Sequence, residues 1–217
     1  MSGPTKEIRD TFVTFVDSGL EEATTESGEQ VSATNEALVN LAKWTGGDKP
    51  ALVYWTWSDE NDKRGKETKK ADRNVWDNEK VARVSRLFDC YRVDAKGVPA
   101  EQLQKLGVKD VPFVQVLSKE QAPIAAIAPS SPGSMETFLQ AGAKKFPEYW
   151  RTVLQRMQEL DRRFNEGKAA MKKKDYDAAI SAFNEVYNDN VRTDLLSKAR
   201  ELLMQARQKA EKEAAKK

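Results

Sequence analysis

The sequence predicts an α/β domain followed by an all-α extension, and three observations carry that prediction. Ala51 to Trp57 is a dense apolar run, too continuous for a half-exposed strand and suited to a central one covered on both faces. Strand-like and helix-like segments then alternate as far as Phe146. From Pro147 onward only helical spacing recurs.

Taken in order, Ile8, Phe12, Phe15, Val16 and Leu20 fall on one face of a helix. Residues 21–33 have no period and read as a loop. A second helix over about 34–45 turns Leu38, Leu41 and Ala42 inward, and the stretch Gly46 to Pro50 ends it. The strand Ala51 to Trp57 is followed by a polar helix, Ser58 to Asn74. Ser58 is its expected N-cap, and Asp59, Glu60 and Asp62 suit the positive end of the helix dipole. Val75 to Val81 reads as a turn with a buried tryptophan, Val81 to Phe88 as a short helix and Cys90 to Asp94 as a strand. Glu101 to Leu106 is a short helix stopped by Gly107. Val111 to Leu117 and Gln121 to Ala128 form a strand pair, and Met135 to Phe146 a closing helix.

Proline at a first helical position, Pro147, opens an amphipathic helix with Trp150, Val153, Leu154, Met157, Leu160 and Phe164 on one side. A last helix, about 193–210, turns Leu195, Leu196, Ala199, Leu202, Leu203 and Ala206 inward, and Gln208 to Lys217 reads as a charged, fraying tail. These apolar positions are too many to leave in water, so the extension is expected to dock on the preceding domain or on a partner.

Composition excludes several chemistries. There is no histidine, which removes Ser-His and Cys-His nucleophile pairs and the usual zinc sites. A single cysteine, Cys90, cannot form an intramolecular disulfide and in a central strand reads as a small buried hydrophobe. The acidic residues Asp59, Glu60 and Asp62 lack the loop pattern of a hard-cation site. With 36 basic and 34 acidic side chains the formal charge is only +2, so no global field favours nucleic acid. The local basic run Lys63, Arg64, Lys66, Lys69, Lys70 and Arg73 reads as a solvated face, with an acidic protein as its alternative partner. No apolar run is long enough to insert into a membrane, and Met1 to Glu7 does not resemble a signal peptide. The expected location is cytoplasmic, or exported as a mature chain if Met1-Ser2-Gly3 is a cloning remnant.

The order helix, strand, helix, strand, helix, X-Pro strand, strand, helix resembles the thioredoxin fold. The resemblance covers roughly residues 34–146. It is closest to the subgroup with Lys-Pro before the first strand, here Lys49-Pro50-Ala51-Leu52-Val53-Tyr54, and a Val-x-x-Asp-x-x-Val element, here Val75 to Val81. Gly107-Val108-Lys109-Asp110-Val111-Pro112-Phe113 is similar to the family's Gly-Val-x-x-x-Pro-Thr segment, with Phe113 replacing threonine. Where thioredoxins read Trp-Cys-Gly-Pro-Cys, this chain reads Trp57-Ser58-Asp59-Glu60-Asn61. Both sulfurs are missing, and dithiol exchange requires them. The resemblance implies a cis Val111-Pro112 bond facing the Ser58 loop, with Trp57 bordering a shallow groove. Beyond Pro147, Gly167, Tyr176, Ala179, Ile180 and Phe183 fall at the offsets that resemble one tetratricopeptide repeat.

The expected architecture is therefore α/β: a thioredoxin-like three-layer sandwich over residues 34–146, preceded by a helix and loop (1–33) and followed by an all-α, tetratricopeptide-like extension (147–217). The expected function is non-catalytic: a scaffold or adaptor that binds a protein partner or joins a larger assembly, self-association included. It needs no cofactor or metal. Candidate protein-binding residues are Trp57, Ser58, Asn61, Val111, Pro112, Tyr176 and Phe183. The alternative is a thiol-redox enzyme or chaperone acting through Cys90.

Overall fold

In a computed structural model, residues 15–17, 23–24, 30–31, 49–120 and 122–215 are described. The first stretches are strands β1 (Phe15–Asp17), β2 (Ala23–Thr24) and β3 (Gln30–Val31). Then come β4 (Ala51–Thr56), α1 (Lys63–Ala71), a π-helical turn at Asp72–Trp76, α2 (Glu79–Ser85) and β5 (Asp89–Asp94). A 3-10 turn at Ala95–Gly97 leads to α3 (Ala100–Lys105), β6 (Phe113–Leu117), β7 (Pro123–Ile127) and α4 (Pro132–Ala143). The chain ends with α5 (Pro147–Lys173), α6 (Tyr176–Asn188) and α7 (Leu196–Ala214). It divides into two compact units, one up to Phe146 and one from Pro147.

The first unit is mixed α/β. Its five-stranded sheet has the order β1-β5-β4-β6-β7, while β2 and β3 pair as a separate antiparallel ribbon. β1, β5 and β4 run parallel; β6 is antiparallel to β4, and β7 to β6. Central β4 is buried along its whole length, as its unbroken apolar composition requires.

Alternation along β4 builds two cores. Ala51, Val53 and Trp55 gather with Val93, Val98, Val108, Val111 and Leu117 on the face that Leu103 of α3 and Leu106, just past its end, cover. Tyr54 turns to the other face, where its ring lies 5.1 Å from that of Trp76 and its hydroxyl donates to the Thr68 carbonyl of α1 at 3.5 Å. α4 packs on this second face so closely that a Cβ on Gly142 would stand 2.9 Å from Val116.

One buried polar bridge ties the first face together. Trp55 Nε1 donates to Gln115 Oε1 at 2.8 Å, and Gln115 Nε2 donates to the Leu106 carbonyl at 2.8 Å. Gln115 is 2% exposed. Gln115→Leu strands both the indole donor and the carbonyl, so its expected cost is about 2–4 kcal/mol in urea unfolding. A loss below about 1 kcal/mol would mean that neither partner depends on the amide.

The structure corrects several sequence expectations. Phe15–Asp17 is a strand in register with Cys90–Arg92, where a helix was expected, because the open edge of β5 offers backbone partners. The rest of that helix and the one over 34–45 lie outside the described residues. The expected loop 21–33 contains β2 and β3. α1 begins five residues later than expected: Asp62, not Ser58, is its N-cap and accepts from the Arg64 amide. α7 continues through the expected fraying tail to Ala214, a stretch rich in the helix formers Ala, Lys and Glu.

In the second unit, Leu160, Phe164, Ala179, Phe183, Val186, Ala199, Leu203 and Ala206 form one core among α5, α6 and α7. Gly167 lets α6 close on α5, since a Cβ there would meet the Phe183 ring at 2.7 Å. The turn between these helices uses Lys174 in the left-handed region (φ 60°) and Asp175, which caps α6 by accepting from Ala178 N. Ion pairs lace the outside: Arg156 with Glu185 and Asp189, Arg163 with Glu185 and Glu166, and Arg192 with Asp161 and Asp194. Among the described residues no helix is long and apolar enough to cross a membrane.

Candidate functional site

The loop leaving the C-terminal end of β4, Trp57 to Asp62, is held from two sides. Trp57 N donates to Thr68 Oγ1 of α1 at 3.1 Å, and Ser58 N donates to Asp94 Oδ1 at the end of β5 at 3.1 Å. Asp94 Oδ1 also accepts from Lys96 N at 3.0 Å, so one carboxylate caps the 3-10 turn and anchors the loop. Asp59 then folds the loop on itself by accepting from Asn61 N at 3.0 Å. The loop presses on α1 at Gly65, where a Cβ would lie 1.9 Å from the Asp59 carbonyl oxygen.

Each acidic side chain of this loop has a cation. Asp59 pairs with Lys96 at 3.2 Å, Glu60 with Lys69 at 2.7 Å and Asp62 with Arg64 at 2.8 Å. The Asn61 amide and then Lys96 hold the Asp59 carboxyl below its ordinary value, and the Arg64 side chain and amide bring Asp62 down to about 2. Carboxylates so engaged do not converge on a common point, and no metal-binding group of acids and cysteine occurs among the described residues.

Across from the loop lies the start of β6. The β4–β6 register pairs Trp55 with Phe113, which ends one residue short of Pro112, and the Val111–Pro112 peptide is cis, the isomer expected. Trp57 and Val111 meet in the same apolar cluster. Over the Trp57 ring sits the Arg64 guanidinium, 3.3 Å from the centroid, with its Nε and Nη2 both donating to Asp62. The Trp57 indole Nε1 is out of contact with solvent and has no acceptor among the described residues. The site thus presents a cation–π cap on an aromatic wall.

The structure thus brings Trp57, Ser58, Asn61, Val111 and Pro112 to one end of the sheet. Ser58 and Asn61 are exposed, Trp57 and Pro112 half-buried, and Val111 buried. Tyr176 and Phe183 belong to the other unit, and Phe183 requires correction as a binding residue: at 0% exposure it is core and presents no surface. Arg64, one residue of a solvated basic run by sequence, joins the site in the structure. Its place seven residues after Trp57 and two after Asp62 holds the signal, which becomes legible only once the N-cap is located.

Cys90 lies apart. It is 5% exposed, and Sγ donates to the Ser85 carbonyl at 3.2 Å. Burial, with Asp89 nearby, pushes its thiol up to about 12, so it stays protonated at neutral pH. Native protein is expected to resist a chromogenic disulfide reagent at pH 8 and to react fully once denatured. Rapid, complete labelling of the folded chain would refute this.

No family profile matches the chain, and neither a curated protein nor a solved structure shows significant similarity to it.

Proposed function

We propose that the chain is a non-catalytic interaction protein whose thioredoxin-like unit has kept a peptide-facing groove and lost its redox chemistry. The observation that carries this reading is topological. Three parallel strands, β1, β5 and β4, are extended by antiparallel β6 and β7, with the Trp57–Asn61 loop at the C-terminal end of the central strand and just before α1. That arrangement resembles the thioredoxin plan, in which the reactive dithiol occupies this loop. Ser58 and Asn61 stand at the two sulfur positions, and neither can exchange a disulfide.

The helical unit supports the second half of the proposal. Gly167 against Phe183, the Asp175-Tyr176 turn and Ala179 in the core suit one tetratricopeptide-like hairpin, with α7 laid against α6. Such hairpins serve as binding surfaces when stacked, so this unit fits a scaffold or a subunit of an assembly. The burial of Cys90 weighs against the alternative of thiol chemistry.

The test joins an activity to a partner. Full-length protein is expected to add nothing to dithiothreitol in an insulin reduction assay. It should also retain a protein from native extract that both Trp57→Ala and Pro112→Ala lose. Insulin turnover abolished by Cys90→Ser, or capture indifferent to both groove variants, would sink the proposal.

A further inference from the structure

One side of α1 and of the π turn after it carries cations at four neighbouring positions. Lys66, Lys69, Lys70 and Arg73 stand at i, i+3, i+4 and i+7, the spacing of a single helical stripe, and α1 continues into the π turn that holds Arg73. All four are exposed, and with Asn74 they line an open cavity of about 260 Å³. Lys69 is matched by Glu60. Lys66, Lys70 and Arg73 form no ion pair with a described residue, whereas Arg64, Arg83 and Arg92 of the same unit each hold a carboxylate.

The like charges of the stripe repel one another along the helix that bears them. Lys66 faces Lys69 and Lys70, Arg73 faces the same two, and each such like-charge pair weakens an exposed helix. Packing gives nothing back, because α1 buries only Gly65, Thr68 and Ala71. Lys69 and Lys70 gain from the helix dipole in the last turn, and Lys69 from Glu60, but the repulsion along the stripe is not repaid by packing and leaves the charge available to a partner.

We propose that this stripe binds a carboxylate-rich protein segment. Seven residues of helix span about 10.5 Å, the length of about three to four extended residues. Lysine ammonium groups are separate point charges on flexible stems, which suits several carboxylates spread along that length. A single phosphate is better held by guanidinium forks or backbone N–H groups, and the stripe offers one arginine and no helix N-terminus. Duplex nucleic acid needs more contacts than a stripe of this length provides, on a chain whose formal charge is only +2. The site lies on α1 and the π turn that follows it and does not require the groove reading: it stands if that reading fails.

The experiment measures fluorescence anisotropy of a labelled peptide carrying six consecutive glutamates, titrated with the full chain at low and at physiological salt. Saturable binding is expected, weakened by salt because the contacts are exposed, with no binding of the hexaglutamine counterpart. K66Q/K70Q/R73Q should lose about tenfold or more in affinity while still melting cooperatively, within a few degrees of wild type. If the triple variant does not fold, K70Q alone is read the same way, with a loss of about threefold expected. Absence of wild-type binding, or binding unaltered in the variants, would overturn the proposal. Tighter, stripe-dependent binding of inorganic phosphate or of a single-stranded RNA oligonucleotide would overturn it too, by giving the site to phosphate chemistry.

Discussion

Gly65→Ala is expected to lower the stability of the first unit by about 3 kcal/mol, the upper range for forcing one methyl group into packed structure. For a chain of this size that is a fall of roughly 6–12 °C in melting temperature. The added Cβ would lie 1.9 Å from the Asp59 carbonyl oxygen and 2.5 Å from its carbon, and both atoms are backbone. No rotamer can yield, so the loop or α1 must move. The loop is held by Trp57 N on Thr68 and by Ser58 N on Asp94, and displacement breaks one or both of those bonds. Circular dichroism on heating would measure the loss. A variant melting within about 2 °C of wild type would show that the loop does not press on α1.

Phe183→Ala is expected to cost about 3–5 kcal/mol, the usual penalty for emptying a fully buried aromatic site. Phe183 is 0% exposed, lies 5.7 Å edge-on from the Phe164 ring and touches Gly167 of the facing helix. The reciprocal change isolates the contact. Gly167→Ala should gain about 1 kcal/mol from helix propensity alone, yet its Cβ would meet Phe183 Cε1 at 2.7 Å, so a net loss is expected. The loss should shrink in a Phe183→Leu background, because neighbouring changes couple. Equal penalties in both backgrounds, measured by urea unfolding of the full chain, would remove Phe183 as the reason for glycine.

Much of this was legible in the order of residues. Ala51 to Trp57 declared a central strand because only a strand covered on both faces tolerates an unbroken apolar run, and β4 is that strand. The start of α5 at Pro147 and the stop at Gly107, with φ 72°, followed from local backbone preference. The absence of an intramolecular dithiol was likewise settled by composition, since the chain has a single cysteine.

What the sequence left open was decided by long-range partners. Phe15-Val16-Asp17 carries helical spacing, but β5 offers an open edge, and pairing across about seventy-five residues overrides a short periodic signal. Ser58 and Asp62 are both good caps. Asp62 caps α1, after a loop whose course is fixed by the Ser58 amide on Asp94, a residue remote in sequence. Arg64 is one cation among six in a basic run until the fold sets Trp57 beneath it, and Phe183 is an aromatic in a repeat-like motif until Gly167 closes over it. Periodicity and turn chemistry are local and can be read along the chain. Edges, caps in competition and stacked pairs depend on which distant groups arrive, and only the tertiary structure brings them.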